Sequence, residues 1–494
     1  MRLLAALVAA VVLPAAPAAP AALAVPALPA LPALPALPAL PAAGHLPASA
    51  CAGTGTGTGD PGGDFDGDGV DDAAVGDPLA DAGDPEGSGK VEGAGTVHVL
   101  SGVAGQGGEA TVVTAPSPAA GDGFGWSVRL VHLDGDRCAD LLVGAPYTDV
   151  AGVRDAGAVY AVYGGGSREP VRLAAPVPEA DAHFGWSLAG RGPLVAVGAP
   201  HEDSEGVADS GAVYLFETSA LGTARRLSQN TEGVTGNGEA GDMFGWAVEL
   251  GRLGGNAGEP DLAVGLPYEN DDGQGVQAGE GNLDSGAVTV LFDVRSRTGA
   301  QLSRKWDLRE VLDADAGDRF GYALAYAEQG DTSYLAVGAP LGDGGSVRDS
   351  GLVQLFQASS TAEITPGPTL SRGAEGSPGG GYGSALAFAS GGDVRLAVGV
   401  PFDGPDQRGG VHLVPPADPA RSRMVPGTEP GGRLGWSLAS AGNKLVAGAP
   451  DHGPSGAVAL LGRNDGAVAL LSPGAGRIPA VSGGASVDFG AAAG

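Results

Sequence analysis

Phe184-Gly185-Trp186-Ser187-Leu188 is followed by Val197-Gly198-Ala199-Pro200 and then by Gly211-Ala212-Val213-Tyr214-Leu215-Phe216, and the reading of this stretch decides the fold. The Phe-Gly element recurs as Phe124-Gly125-Trp126, Phe244-Gly245-Trp246, Phe320-Gly321-Tyr322, Tyr382-Gly383-Ser384 and Leu434-Gly435-Trp436. Each copy leads to a Gly-x-Pro, at Gly144, Gly198, Gly265, Gly338, Gly399 and Gly448, and one more stands upstream as Gly76-Asp77-Pro78. Period-two runs of Val and aromatics argue strands, and the Gly and Pro between them argue turns. A unit of roughly 50 to 70 residues then supplies four strands, which is one propeller blade. Seven Gly-x-Pro copies predict an all-β, seven-bladed β-propeller with four antiparallel strands per blade. A lone four-stranded sheet cannot bury both faces, whereas radially stacked blades bury each face against the next. Phe and Trp are expected to fill those seams.

The repeat is incomplete at both ends, in complementary ways. No Phe-Gly precedes Gly76, because only Gly- and Thr-rich sequence lies between Cys51 and Asp64. Conversely, Asp488-Phe489-Gly490-Ala491 starts a unit with no Gly-x-Pro after it. The two halves are expected to make one composite blade, closed by a C-terminal strand near 487–493. On these motifs the chain resembles the FG-GAP repeat family, the propeller found at the N-terminus of integrin α subunits and in secreted bacterial proteins, over about residues 51–494. The resemblance implies the seven-bladed fold, calcium loops in some blades and a role in adhesion. Integrin α subunits carry their calcium loops in later blades than this chain does, so their site architecture is not carried over.

Composition agrees with strands and turns. The 494 residues include 89 Gly and 38 Pro, the poorest helix formers, with only 17% charged and 5% aromatic residues. A formal net charge of -30 disfavours nucleic acid, which needs Lys and Arg clusters. Only three of the 27 basic residues are Lys, which together with the Ala, Gly and Pro richness points to a high-GC bacterial source. Arg2, the apolar Leu3 to Leu13 and Ala22-Leu23-Ala24 read as a signal peptide over 1–24. A Pro-Ala-Leu repeat over 25–50 reads as an extended spacer. No later apolar run is long enough for a transmembrane anchor, so a secreted chain is expected. Cys51 and Cys138 can form one bridge in an oxidising compartment; two buried thiols, or a lipidated Cys51, are the alternatives.

One local motif carries definite chemistry. In Asp64-Phe65-Asp66-Gly67-Asp68-Gly69-Val70-Asp71-Asp72, the carboxylates of Asp64, Asp66, Asp68 and Asp72 and the Val70 carbonyl have the spacing that converges on one hard cation. Calcium is favoured over magnesium because the cage is all-protein and flexible. The next unit keeps Asp134, Asp136 and Asp140 but has His132 and Arg137 at the first and turn positions, making a weaker second candidate. The loops on the opposite face, around Glu202, Glu269 and Asp343, are acidic and are the expected partner-binding rim.

Catalytic motifs are not found. Asp209-Ser210-Gly211 looks like a nucleophile, but it recurs at Asp284 and Asp349 and becomes Asp155-Ala156-Gly157 in the same register, which marks a turn. The expected function is a secreted, calcium-stabilised, monomeric binding or adhesion protein whose partner is an extracellular protein or glycan. The alternative is a secreted propeller hydrolase or lyase acting on an extracellular polymer.

Overall fold

Successive Phe-Gly units form successive four-stranded antiparallel sheets, each in simple meander order. The computed structural model describes residues 51, 63–83, 89–102, 110–166, 168–256, 258–270, 281–296, 300–389, 393–462, 468–474, 478 and 488–494; the segments expected to be signal peptide and spacer, 1–24 and 25–50, lie outside them. Blade 2 is typical: Ser127–Val131, Asp140–Ala145, Ala158–Val162 and Val171–Leu173 pair in that order. Blades 3 to 7 follow over 187–227, 247–307, 324–370, 386–426 and 438–471. Blade 1 takes its innermost strand from the far end of the chain. Ala492–Ala493 pairs antiparallel with Ala73–Asp77, which pairs with Thr96–Leu100 and then Ala110–Val113. The chain is therefore a seven-bladed propeller whose ring closes through blade 1. Among the described residues, no helix is long and apolar enough to cross a membrane.

Among the described residues there is no central core. Seven apolar clusters lie in the seven seams, and single strands feed two of them at once. In Leu194–Ala199, Val195 and Val197 pack towards blade 2, while Leu194 and Ala196 pack towards blade 4. This two-sided burial explains why second strands read as nearly continuous apolar runs.

Glycine sets the seam spacing. The Gly-x-Pro glycine of one blade lies against the Phe-Gly carbonyl of the next: a Cβ on Gly198 would meet the Gly245 oxygen at 2.1 Å, and one on Gly448 would meet the Gly490 oxygen at 1.9 Å. The Phe-Gly backbone is also stitched to the preceding blade. Phe244 N–H donates to the Ser210 carbonyl (3.0 Å), and Phe489 N–H to that of Ser455 (3.3 Å). The repeated Asp-Ser-Gly is thus a turn that presents a carbonyl to the neighbouring blade. Phe124, Phe184, Phe244, Phe320 and Phe489 are all fully buried, as expected of seam residues.

Trp306 also fills a seam, but the tryptophans of the Phe-Gly motif differ from that expectation. Trp126, Trp186 and Trp246 are only half-buried. Each closes a tight turn, with Trp186 N–H donating to the His183 carbonyl (3.1 Å), and Gly185 at φ 97° supplies the left-handed position between Phe and Trp. The turn interrupts strand alternation, so Phe enters the seam while Trp faces the central channel.

The same turn carries an aspartate two positions before Phe. Asp122, Asp242 and Asp318 each accept an N–H three residues upstream, from Ala119 (3.0 Å), Glu239 (2.6 Å) and Asp315 (2.7 Å). Burial pushes the carboxyls of Asp122 and Asp318 up to about 6 and that of Asp242 up to about 8.

Two outcomes test this architecture. Phe489→Ala removes a fully buried ring from the closing seam and should cost about 3–5 kcal/mol in urea unfolding, whereas an unchanged midpoint would mean the C-terminal strand does not hold the ring shut. Carboxyls that bind protons more tightly when folded add stability below their ordinary pKa near ~4, and that contribution is lost as pH rises through ~6 to ~8. With cations chelated, the urea midpoint should therefore fall between about pH 7 and about pH 8, above the range in which His183, buried neutral, adds stability as pH rises; a rise there would contradict the buried aspartates.

Candidate functional site

On the face formed by the hairpins between first and second strands, the Asp64 turn folds around its own carboxylates. Asp64 Oδ1 accepts the N–H groups of Gly67 (2.7 Å) and Asp68 (3.1 Å), and its Oδ2 accepts that of Gly69 (2.9 Å). Asp66 Oδ1 accepts the Asp68 N–H (3.0 Å). Asp72 is buried at the start of the second strand, where Oδ2 accepts from Phe65 (2.8 Å) and Asp66 (3.2 Å) and Oδ1 from Gly102 (2.7 Å). One oxygen each from Asp64, Asp66 and Asp72 lies within 4.8 Å of the others. Burial, with the Asp66 charge adding to it, pushes the Asp72 carboxyl up to about 7. Burial also raises Asp64, and Asp66 and Asp68 add to the effect. Three oxygen donors that repel one another fit a hard divalent cation. Asp68 is outside this group. Its Oδ1 accepts the Val70 N–H (2.8 Å), and its Oδ2 leans towards Gly102.

The second candidate differs. Asp134, Asp136 and Asp140 are not gathered in this way; among the described residues, the Asp64 group is the one that is. Arg168 places a guanidinium 3.6 Å from Asp134, supplying the positive charge locally. Asp136 Oδ1 accepts the Cys138 N–H (2.9 Å). Asp140 Oδ2 accepts from Leu133 (2.6 Å) and Oδ1 from Gly164 (3.0 Å), and burial raises its carboxyl to about 6. Asp261 repeats this pattern in a turn poor in other ligands, accepting from Leu253 (2.6 Å), Gly255 (3.1 Å) and Asp293 (2.8 Å). The last carboxylate of the motif is therefore a backbone staple in three blades, whether or not a cation site accompanies it.

The opposite face holds the second site, which sequence patterning missed. The residue after each Phe-Gly borders the channel mouth: Trp126, Trp186, Trp246, Tyr322, Ser384, Trp436 and Ala491 in turn. Trp126 and Trp186 lie 4.8 Å apart by ring centroids, Trp186 and Trp246 4.9 Å, and Trp246 and Tyr322 5.5 Å. The residue after each Gly-x-Pro adds an outer row. Tyr147 packs on Trp126 (5.3 Å), His201 on Trp186 (5.5 Å), Tyr268 on Trp246 (5.4 Å) and Phe402 on Trp436 (6.0 Å). Two sectors are covered by the chain's own cations, Arg319 over Tyr268 (4.0 Å) and Arg433 over Phe402 (5.4 Å). The sector of blades 2 and 3 instead carries His183, which burial, reinforced by His201, lowers to about 4, so that it is neutral. A signal was present in the sequence: four of the five tryptophans occupy one register.

The acidic loops around this mouth are partly committed to structure. Asp149, Asp203 and Asp343 accept the N–H groups of Asp155 (3.0 Å), Asp209 (3.0 Å) and Asp349 (2.9 Å). Glu202 and Glu269, expected on the rim, are buried inside their blades. Glu202 meets Arg226 (2.5 Å) and the Tyr214 hydroxyl (2.7 Å), and Glu269 meets Lys305 and the Gln229 amide (2.8 Å). Asp271 and Asp272 lie outside the described residues.

Comparison with known proteins agrees with the blade assignment. Family models described as FG-GAP repeat match residues 124–162 and 168–216, which fall in blades 2 and 3. Integrin alpha-PS2 of Drosophila melanogaster is 33% identical over 227 residues, covering 42% of this chain and 15% of that protein. Integrin alpha-5 of Xenopus laevis is 35% identical over 155 residues, covering 29% and 14%. Phosphatidylinositol-glycan-specific phospholipase D of Homo sapiens is 28% identical over 247 residues, covering 44% and 26%. The matched region thus spans a small part of each of these relatives. Two stretches of the chain thus match FG-GAP repeats, and its propeller resembles integrin α in sequence over part of its length.

The two roles of the turn carboxylates separate by mutation. With cations chelated, Asp72→Ala should cost about 1–3 kcal/mol, because three N–H groups lose their acceptor. Asp66→Asn keeps an oxygen for the Asp68 N–H and should stay within about 0.5 kcal/mol. Equal losses in urea unfolding would remove the distinction between staple and ligand.

Proposed function

We propose that this chain is an extracellular, calcium-stabilised binding propeller that engages a protein or glycan partner through the channel mouth. The observation that carries this reading is the half-buried aromatic crescent of Trp126, Trp186, Trp246 and Tyr322. Aromatic side chains left partly in water retain apolar area for a partner to cover, and such residues dominate binding energy at interfaces. A binding role is favoured over hydrolysis or lysis because the nearby carboxylates of Asp149, Asp203 and Asp343 hold turns together. The Cys51–Cys138 disulfide supports an oxidising, extracellular setting, as do the integrin relatives.

Calcium is the cation assigned to the Asp64 turn. Asp64, Asp66 and Asp72 would hold it, and its charge would relieve their mutual repulsion. It stands on the face away from the mouth and so stabilises the scaffold without touching the partner.

Glycan and matrix-protein arrays test the reading. Trp186→Ala should weaken any array ligand by about 30-fold or more, the scale of a truncated hot-spot aromatic. Leu302→Ser, at an exposed residue on the outer strand of blade 4, should leave binding unchanged. Binding that survives both Trp186→Ala and Trp126→Ala would move the site elsewhere. Turnover of a polysaccharide would favour the enzymatic alternative.

A further inference from the structure

The Asp64 turn belongs to blade 1, yet blade 2 holds much of its backbone. The Asp64 carbonyl accepts the Ala139 N–H (2.7 Å), and the Phe65 carbonyl accepts the Gly165 N–H (3.0 Å). Ala139 follows Cys138 directly, and Gly165 packs against the cysteines from the turn after the third strand. The turn that carries Cys138 is bonded in its own right to Cys51, whose carbonyl accepts the Arg137 N–H (3.3 Å). Packing is tight at this junction. A Cβ on Gly164 would lie 2.8 Å from the Phe65 oxygen and 2.9 Å from Cys138 Cβ, and one on Gly165 would lie 2.3 Å from Cys51 Sγ. Both cysteines are buried, at 2% and 1% exposure, so the disulfide is part of the packed seam.

We infer that the Cys51–Cys138 disulfide is the positioning element of the cation turn, so that bond and cation stabilise each other across the seam between blades 1 and 2. This inference rests on the calcium assignment above. The physical route is short. Cys138 lies between Arg137 and Ala139, and the Ala139 N–H fixes the carbonyl of Asp64, whose carboxylate is one of the three gathered oxygens. With the bond broken, Cys51 is no longer tethered, the 137–139 turn loses its covalent anchor, and Asp64 is free to leave Asp66 and Asp72. The remaining carboxylates then repel without the geometry that offsets repulsion by cation binding. Coupling between two such sites is reciprocal, so bound calcium must protect the disulfide by the same factor by which the disulfide improves calcium affinity.

The test uses the full chain, with calcium as the titrant and dithiothreitol as the dithiol reductant. Reduction gives two cysteine thiols and the cyclic disulfide of the reagent, so electrons and protons balance. Calcium affinity of the oxidised protein should exceed that of the Cys51→Ser/Cys138→Ser double variant by about 5-fold or more, the lower end of typical coupling. In the wild-type chain, calcium should shift the reduction equilibrium towards the disulfide by the same factor, and in Asp66→Asn it should not. This second readout does not depend on the folding of the cysteine variant. Calcium binding of equal strength with and without the bond, or protection that persists in Asp66→Asn, would overturn the coupling alone. An oxidised wild-type chain that binds no calcium would overturn the cation assignment and the coupling with it.

Discussion

Every other feature of the ring depends on backbone meeting backbone between blades. At each seam the Gly-x-Pro glycine of one blade lies against the Phe-Gly carbonyl of the next, and no side chain, not even a methyl group, fits between them. The close approach lets the Phe N–H reach the carbonyl before the third strand of its neighbour, as Phe244 reaches Ser210. It also fixes the depth to which Phe enters the seam. Seven repetitions must close on themselves, and the last of them, Gly448 against Gly490, is made by a segment remote in sequence from blade 1. The ring is therefore assembled from local units but completed by one long-range pairing.

That constraint explains which parts of the fold were legible in the sequence. Gly-x-Pro and Phe-Gly are visible because the glycine contact tolerates almost no substitution, so the count of seven and the unmatched motifs at the two ends could be read directly. The orientation of Trp was not. Strand alternation alone assigns Phe and Trp alike to the seams, whereas the left-handed Gly185 and its turn send them to different places. The acidic rim misled for a related reason. Glu202 and Glu269 look exposed in a loop until their partners are known, and Arg226 and Lys305 come from fourth strands, 24 and 36 residues later.

The cation turn shows the same limit in finer detail. Asp72, Asp140 and Asp261 are equivalent aspartates, and residue type cannot distinguish a metal ligand from a backbone acceptor. The groups that make each of them a backbone staple are N–H donors of Gly102, Gly164 and Asp293, which lie 30, 24 and 32 residues further along and are brought back by the hairpin of third and fourth strands. Asp64 separates the first turn from the second, where His132 holds that position, and Asp64 and Asp66 together separate it from the turn of Asp261, which is poor in carboxylates. Asp68, one of the five ligands expected from the sequence, lies outside the three gathered carboxylates, and its own carboxylate accepts the Val70 N–H.

Seam packing leaves few positions free in each repeat, and two of them meet at the channel mouth. They follow directly on the constrained glycines: the residue after Phe-Gly and the residue after Gly-x-Pro. Within this chain those positions vary widely, from Trp to Ala in the inner row and from Tyr to Asp451 in the outer, while the glycines beside them do not. Variation confined to positions that packing does not use is where a repeated scaffold can acquire a specific surface. Here it yields an uneven surface. Aromatic rings run unbroken from Trp126 to Tyr322, and small Ser384 and Ala491 interrupt the row elsewhere. Where Arg319 and Arg433 cover the rings, the aromatic faces already have a cation. The uncovered arc over blades 2 and 3 is thereby singled out, and it shares blade 2 with the seam whose far face carries the disulfide.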